Sequence, residues 1–387
     1  MRADSVFSQA TATPAAHATR ESEAGDKVLP TLDQAALKPV PHVCPFSARP
    51  TRNLPRLPAP VPLPPQEELT HFDTALQSAI EDLQSPSPKG LDVSLTLLKH
   101  MAHVSDLASC VATSWPEFYA LLLHAAKLAI SVLPVREVAA RNVLVKSLAG
   151  VAWRWDEEEK GDTTQIARIA GQVFDFAVQG RRMLASRLGR EFARWLSREV
   201  GRQEEKGGRS VRILTLGVSR AVLAGLQCAL AEDPGLQIHL RVLTAFDQRM
   251  PPPPSYDRLH ITVCPTGAIG TASQGVDVLL LEPSCVDPTG ILECQNGALG
   301  TAVCVKTLSL SARVVALSDV DRIAISVAEG LSASGKGGGL DETPERISGK
   351  FVDLYIAENG ALVIEELQGL AEEAGELDRH VLGIDGN

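Results

Sequence analysis

The spacing of apolar residues changes character twice along this chain. Between residues 67 and 200 they recur at intervals of three and four, the period of one helical face. That pattern predicts helices over Glu67–Leu83, Leu91–Val104, Phe118–Leu133, Val135–Trp155 and Thr163–Val200. The first ends at Ser-Pro-Ser-Pro-Lys-Gly (85–90), and Pro134 ends the third. Pro116 falls near the start of that third helix, where a missing N–H costs nothing. The longest helix carries Ile166, Ile169, Ala170, Val173, Phe174, Ala177, Leu184, Leu188, Phe192, Trp195 and Leu196 on one side. Its other side holds Arg181, Arg182, Arg187, Arg190, Arg194 and Arg198, which reads as a solvated face. After a polar, Gly-rich stretch at Gly201–Ser210 the period shortens. Apolar runs at Val211–Leu216, Gln237–Thr244, Leu259–Cys264, Val276–Leu281, Ala312–Leu317 and Phe351–Ala357 predict six strands. Helical patterns at Ser219–Ala231 and Ala298–Ser311 lie between them. Such alternation predicts a mostly parallel sheet covered on both faces. Segment 331–347, SASGKGGGLDETPERIS, reads as a flexible insertion. Its Gly-Lys-Gly is not a phosphate loop, because neither Ser nor Thr follows the Lys.

Residues 1–66 show neither period. They hold 12 of the 25 prolines, including the run Pro-Ala-Pro-Val-Pro-Leu-Pro-Pro at 58–65. That composition predicts an extended, disordered arm. The expected fold class is therefore α/β. A disordered arm (1–66) precedes a helical domain (67–204) and a Rossmann-like domain with a mostly parallel sheet (205–387). The 387 residues are 44% hydrophobic and contain no apolar run long enough for a transmembrane helix. The start, MRADSVFSQATATP, lacks the apolar segment of a secretory signal, and Asp4, Glu21, Glu23 and Asp26 are wrong for a mitochondrial one. Seven cysteines at 44, 110, 228, 264, 285, 294 and 304 include no CxxC pair, so a reduced cytoplasmic protein is expected. The net charge is −10, and without the arm it falls to −12, from 30 basic and 42 acidic residues. That balance argues against direct nucleic-acid binding through general charge.

In parallel sheets ligands gather at the carboxyl ends of strands, often against a helix N-terminus. Three loops occupy such positions. Thr215-Leu-Gly-Val-Ser-Arg220 could hold a phosphate through its hydroxyls, N–H groups and Arg220, or could simply cap a helix. Ala245-Phe-Asp-Gln-Arg-Met-Pro251 offers Asp247 and Arg249 for an ion pair or an anion. Glu282-Pro-Ser-Cys-Val-Asp287 carries two carboxylates that could do acid–base work if buried, although loop carboxylates are usually solvated. Cys285, Cys294 and Cys304 lack zinc-ligand spacing. His100 and His103 share a helix face without a third ligand. No metal or cofactor is expected.

Several segments, taken in order, resemble the initiation-factor-2B subunit superfamily. That group holds the alpha, beta and delta regulatory subunits of eukaryotic translation initiation factor 2B, together with methylthioribose-1-phosphate and ribose-1,5-bisphosphate isomerases. Ile213-Leu-Thr-Leu-Gly-Val-Ser-Arg-Ala-Val-Leu223 is similar to its strand–helix segment. Asp247-Gln-Arg249 stands where the family has Glu-Ser-Arg, and Ile261-Thr-Val263 at a family strand. Gly275-Val-Asp-Val-Leu-Leu-Leu281, Gly300-Thr301 and Phe351-Val-Asp-Leu-Tyr-Ile-Ala-Glu-Asn-Gly-Ala361 complete the match. The resemblance implies phosphate binding through Thr215, Ser219, Arg220 and Arg249. It also points to where the isomerases' catalytic groups would stand. Their Cys position is Gly217, and their Asp position is Ser284, with Cys285 one residue away. A glycine carries no functional group, and a serine hydroxyl is a poor general acid near neutral pH. No catalytic residue is therefore expected. The implied function is a non-catalytic regulatory or scaffold subunit linked to translation initiation. The alternatives are a diverged sugar-phosphate isomerase or a metabolite-binding pseudoenzyme. The resemblance implies as partners a second copy or related subunits, then the GTP-binding initiation factor or a phosphorylated small molecule, and no membrane.

Overall fold

A computed structural model describes residues 54–65, 67, 69–84, 92–134, 137–158, 163–201, 209–244, 257–326 and 344–383. Five helices come first: α1 (Thr70–Gln84), α2 (Val93–Val111), α3 (Trp115–Val132), α4 (Val138–Glu157) and α5 (Thr163–Gly201). Asp92 caps α2, its Oδ1 accepting the Ser94 N–H at 3.0 Å. Pro116 sits in the first turn of α3, as its missing N–H allows. α4 is buried nearly all round, which suits its central place in the helical core. Phe72, Leu98, Met101, Phe118, Leu122, Leu144, Leu148 and Phe174 fill that core.

The sheet half follows. Its strands are β1 (Ser210–Leu216), β2 (Gln237–Thr244), β3 (Leu259–Pro265), β4 (Val278–Leu281), β5 (Cys285–Val286), β6 (Leu292–Cys294), β7 (Arg313–Leu317), β8 (Glu345–Ile347), β9 (Leu354–Ala357) and β10 (Gly360–Leu362). Its helices are α6 (Arg220–Glu232), the four-residue α7 (Ile269–Ala272), α8 (Ala298–Leu308) and α9 (Ile364–Leu382). Seven strands form the main sheet in the order β10-β9-β7-β4-β1-β2-β3, all parallel except β10. From β3 to β9 this is the doubly wound order 3-2-1-4-5-6 of dinucleotide-binding folds. One face packs on α6 and on the second half of α5, through Leu188, Phe192 and Leu196. The other packs on α7, α8 and α9 through Ala272, Ala302, Val305, Leu367 and Ala371. α5 thus threads both cores, its first half lying in the helical one.

The expected helical and mostly parallel sheet halves are present, with differences at the edges. α1 begins at Thr70, α2 runs on to Val111, and β9 starts at Leu354 behind a 3-10 turn at Gly349–Phe351. β5, β6 and β8 form a second, antiparallel sheet of three strands. Most of segment 331–347 lies outside the described residues, but its end, Glu345–Ile347, is β8 rather than loop. Runs of two or three residues are too short to show a period. The end of the arm also departs from expectation. Residues 54–65 form neither helix nor strand, yet Pro55 is buried. The Pro55 carbonyl accepts from His380 Nε2 at 2.7 Å, and the Arg56 N–H donates to Asp156 Oδ2 at 3.0 Å. Residues 1–53 lie outside the described residues. Among the described helices none is long and apolar enough to cross a membrane.

Candidate functional site at the strand carboxyl ends

A doubly wound sheet opens a crevice where its strand order reverses, outside the carboxyl ends of the two strands flanking the reversal. Here those are β1 and β4. β1 delivers Thr215, which is buried, then Gly217 and Ser219. Gly217 has φ +78°, a conformation that costs any other residue strain. Ser219 caps α6, its Oγ accepting from the Ala221 and Val222 N–H groups at 3.0 and 3.1 Å. The same hydroxyl donates to the Glu282 carboxylate at the end of β4. Burial pushes the Glu282 pKa up, partly offset by the Ser219 hydrogen bond and the Arg322 charge. From the loop between β6 and α8, Gln295 Nε2 donates to the Leu216 carbonyl and closes the crevice. What remains between Leu216, Leu281, Glu282, Cys294, Gln295 and Ala298 is a hole of about 10 Å³. That is roughly the room one water needs. The Cys294 thiol on its wall is pushed up to about 12 by burial, with Glu345, Glu293 and Glu282 adding to it, so it is no nucleophile.

Beyond β4 the carboxyl ends carry charge. Asp319 and Asp321 follow β7, and Glu358 follows β9. Arg181 reaches them from α5, pairing with Asp319 at 3.2 Å, Asp321 at 3.5 Å and Asp92 at 3.0 Å. Lys146 of α4 meets Asp321 at 2.6 Å. Arg322 binds Asp319 at 3.1 Å and the Pro283 carbonyl at 2.7 Å. Asn142 donates to the Asp321 and Ile323 carbonyls, both at 2.9 Å. Burial would lower the Lys146 pKa, but Asp321 outweighs it and the value ends up raised. Burial likewise works against Asp321, and Lys146 and Arg181 reverse the sign, holding it low. Both stay charged. No ion pair to Glu358 is made among the described residues; it accepts the Val320 N–H at 3.1 Å. Burial, with Asp319 and Asp321 nearby, raises it to about 7.

Several expectations about single residues change as a result. Arg181 is not on a solvated face: it is 8% exposed and lies at the centre of the network, whereas Arg182, Arg190, Arg194 and Arg198 are exposed. Sequence pattern missed it because Arg181 sits on the arginine side of an amphipathic helix whose second half changes neighbours. Asp287 is not solvated either, being 3% exposed. Its Oδ1 accepts from the Thr289 N–H and hydroxyl and from the Ile291 N–H, and thereby shapes the β5–β6 turn. Cys285 is buried against Val138 and Ala324, away from the crevice. Ser284 is exposed and donates to the Glu293 carbonyl. Of the four candidate phosphate ligands, Thr215 and Ser219 stand at the crevice and Arg220 is exposed at the start of α6. Arg249 lies outside the described residues, as does Asp247. Among the described residues no three His, Cys, Asp or Glu side chains are grouped as metal ligands.

The helical half, the 3-2-1-4-5-6 order and the antiparallel closing strand together match solved structures. The fold is that of the eIF2B beta and delta subunits. A chain of the tetrameric eIF2B-beta2-delta2 complex from C. thermophilum is similar over 80% of this chain and 98% of its own, with a TM-score of 0.59 and 14% identity. eIF2B beta from Chaetomium thermophilum matches 83% of this chain and 97% of its own, at TM-score 0.55 and 14% identity. eIF2B delta from the same organism matches 74% and 96%, at 0.52 and 13%. No family model matches the chain, and neither does any curated protein sequence. On the eIF2B fold, the crevice and the charge network both lie at the strand carboxyl ends, the network against α4 and α5.

Proposed function

We propose that this chain is a non-catalytic regulatory or scaffold subunit of eIF2B type, cytoplasmic and acting in assembly linked to translation initiation. The observation that carries this reading is the filled crevice. Where the fold would admit a substrate, Gln295 and the Ser219–Glu282 pair leave about 10 Å³ among the described residues. The neighbouring cations Arg181, Lys146 and Arg322 are spent on internal carboxylates. Gly217 and Ser284, at the positions that the resemblance assigns to the isomerases' Cys and Asp, add no acid, base or nucleophile. Loss of each such group typically costs about 100- to 10,000-fold in rate. Phosphate binding by Thr215, Ser219, Arg220 and Arg249 is weak or nil on this reading. A second copy or a related subunit is the expected partner, since one similar structure is a beta2-delta2 tetramer. The test is a tagged pull-down from native lysate, read together with NMR of ribose-1,5-bisphosphate incubated with the protein. Recovery of eIF2B subunits or of the GTP-binding factor, without isomer formation, supports the proposal. Steady isomerisation, or a monomer with no such partner, overturns it.

A further inference from the structure

Parallel sheets are ordinarily covered on both faces, but among the described residues one corner of this one is bare. The crossover from β3 to β4 contains only a 3-10 turn, Thr266–Ala268, and the four-residue α7. Such a helix is about 6 Å long, whereas a seven-residue strand spans about 23 Å. Among the described residues α7 therefore covers the carboxyl half of β2 and β3, and their amino half is open. The side chains there are not those of a core. Arg212, His239 and His260 stand in register across β1, β2 and β3, and Arg241 and Thr262 form the next row. The two imidazoles stack at 4.9 Å, 20° from parallel. Neither has a hydrogen-bond or ion-pair partner among the described residues. Arg212 is held by Asp277, with contacts of 3.1 Å. Arg241 donates to the Ala272 and Gln274 carbonyls at 2.8 and 2.6 Å, and no carboxylate among the described residues pairs with it. Together with Ser210, these residues line an open groove of about 440 Å³.

We infer that this groove is a binding site for a phosphate-bearing small molecule, at the opposite end of the sheet from the crevice. The groove is rich in donors, and the carboxylate beside it among the described residues, Asp277, is already paired with Arg212. A cation would meet two guanidinium groups. An anion would meet Arg241, two imidazoles, and the Ser210 and Thr262 hydroxyls. Its volume falls in the range of small-molecule sites, roughly 300–1,000 Å³. The phosphoryl group suits a set of several donors converging from neighbouring strands, because it offers several acceptor oxygens.

The probe is inorganic pyrophosphate, titrated into the full chain while the histidine side-chain NMR signals are followed. The expected result is a saturable shift of the His239 and His260 signals. His239→Gln/His260→Gln, which breaks no hydrogen bond among the described residues, and Arg241→Gln should each weaken pyrophosphate binding about tenfold or more, as read by calorimetry. Arg220→Ala, at the crevice end, should leave it unchanged. Absence of a saturable shift in the wild-type chain overturns the assignment, as does equal affinity in the double histidine variant. Loss of binding in Arg220→Ala would put the anion at the strand carboxyl ends and overturn it equally.

Discussion

Arg181 and Glu358 show how burial sets the chemistry of single residues. Arg181 neutralises Asp319 and Asp321 where neither is in contact with much solvent. Replacing it by Met keeps the apolar stem but leaves those carboxylates short of a cation. Breaking a buried pair costs about 3–5 kcal/mol, and because Arg322 stays on Asp319 and Lys146 on Asp321 the lower end of that range is expected. Urea denaturation of Arg181→Met at pH 7 should show that loss, and a loss under 1 kcal/mol (about the worth of a surface pair) would show that the network is solvated. Glu358 works in the opposite direction. Its pKa is raised to about 7 from the ordinary carboxylate value, so the folded state holds a proton that the unfolded chain releases. The stability it contributes is complete below about pH 4.5 and is lost as pH rises through about 7. Over that window the loss is of order 3 kcal/mol. The causes are burial and the Asp319 and Asp321 charges, opposed by the N–H groups of Val320 and of Glu358 itself, with the Lys146 charge also within reach. Glu358→Gln keeps an acceptor for the Val320 N–H and removes the titration. The variant should match wild type near pH 5 and exceed it at pH 8. Parallel pH profiles of melting temperature for the two proteins would refute this.

At the scale of elements, α5 and α6 meet through two glycines. A Cβ placed on Gly189 would lie 2.6 Å from the Gly225 nitrogen, and one on Gly225 would lie 2.7 Å from Phe192. Alanine inside an exposed helix normally stabilises by about 1 kcal/mol relative to glycine. Here the sign should reverse, because the obstacle to Gly189→Ala is backbone that has to move. A destabilisation of about 1–3 kcal/mol is expected, as for other overpacked contacts, and chemical denaturation reads it directly. A neutral or stabilising result would mean that the crossing relaxes freely. Neither glycine stands out in the sequence, since helix packing distance is a property of two elements and period a property of one. The same limit explains what else pattern reading reached. The five long helices and the strands β1–β4, β7 and β9 carry enough residues for a period to show. β5, β6, β8 and β10 do not, and exist because neighbours pair with them. α9 did carry a signal, with Ile364, Leu367, Leu370, Ala371, Leu377 and Val381 along one side. At the crevice, Ser219 was legible as a helix cap from its place after a strand. Its bond to Glu282, 63 residues away, and the buried salt links of Arg181 depend on tertiary approach and left no local trace.

Two long helices tie the molecule together. α5 enters both the helical core and the sheet core, and α9 covers the sheet before its last turns reach the helical core through Leu377, Val381 and Leu382. Arg141 of α4 clamps α9 through Asp378 with two bonds of 2.9 Å. The end of the proline-rich arm joins this junction. Pro55 is bound by His380 of α9, and Arg56 by Asp156 of α4, so residues 54–65 bridge α9 and α4. The arm is therefore expected to act in two parts. Removing residues 1–53 should leave the melting temperature unchanged, because their proline-rich sequence carries neither a helical nor a strand period to bury. Removing residues 1–66 also deletes a buried proline and two hydrogen bonds, each worth about 1 kcal/mol. A loss of about 2 kcal/mol in a chain of this size lowers the melting temperature by a few degrees. Scanning calorimetry of the full chain and both truncated forms separates the outcomes. If the two truncations melt together at the wild-type temperature, the Pro55 and Arg56 contacts contribute nothing. If the shorter truncation already melts low, residues before Leu54 carry stability of their own.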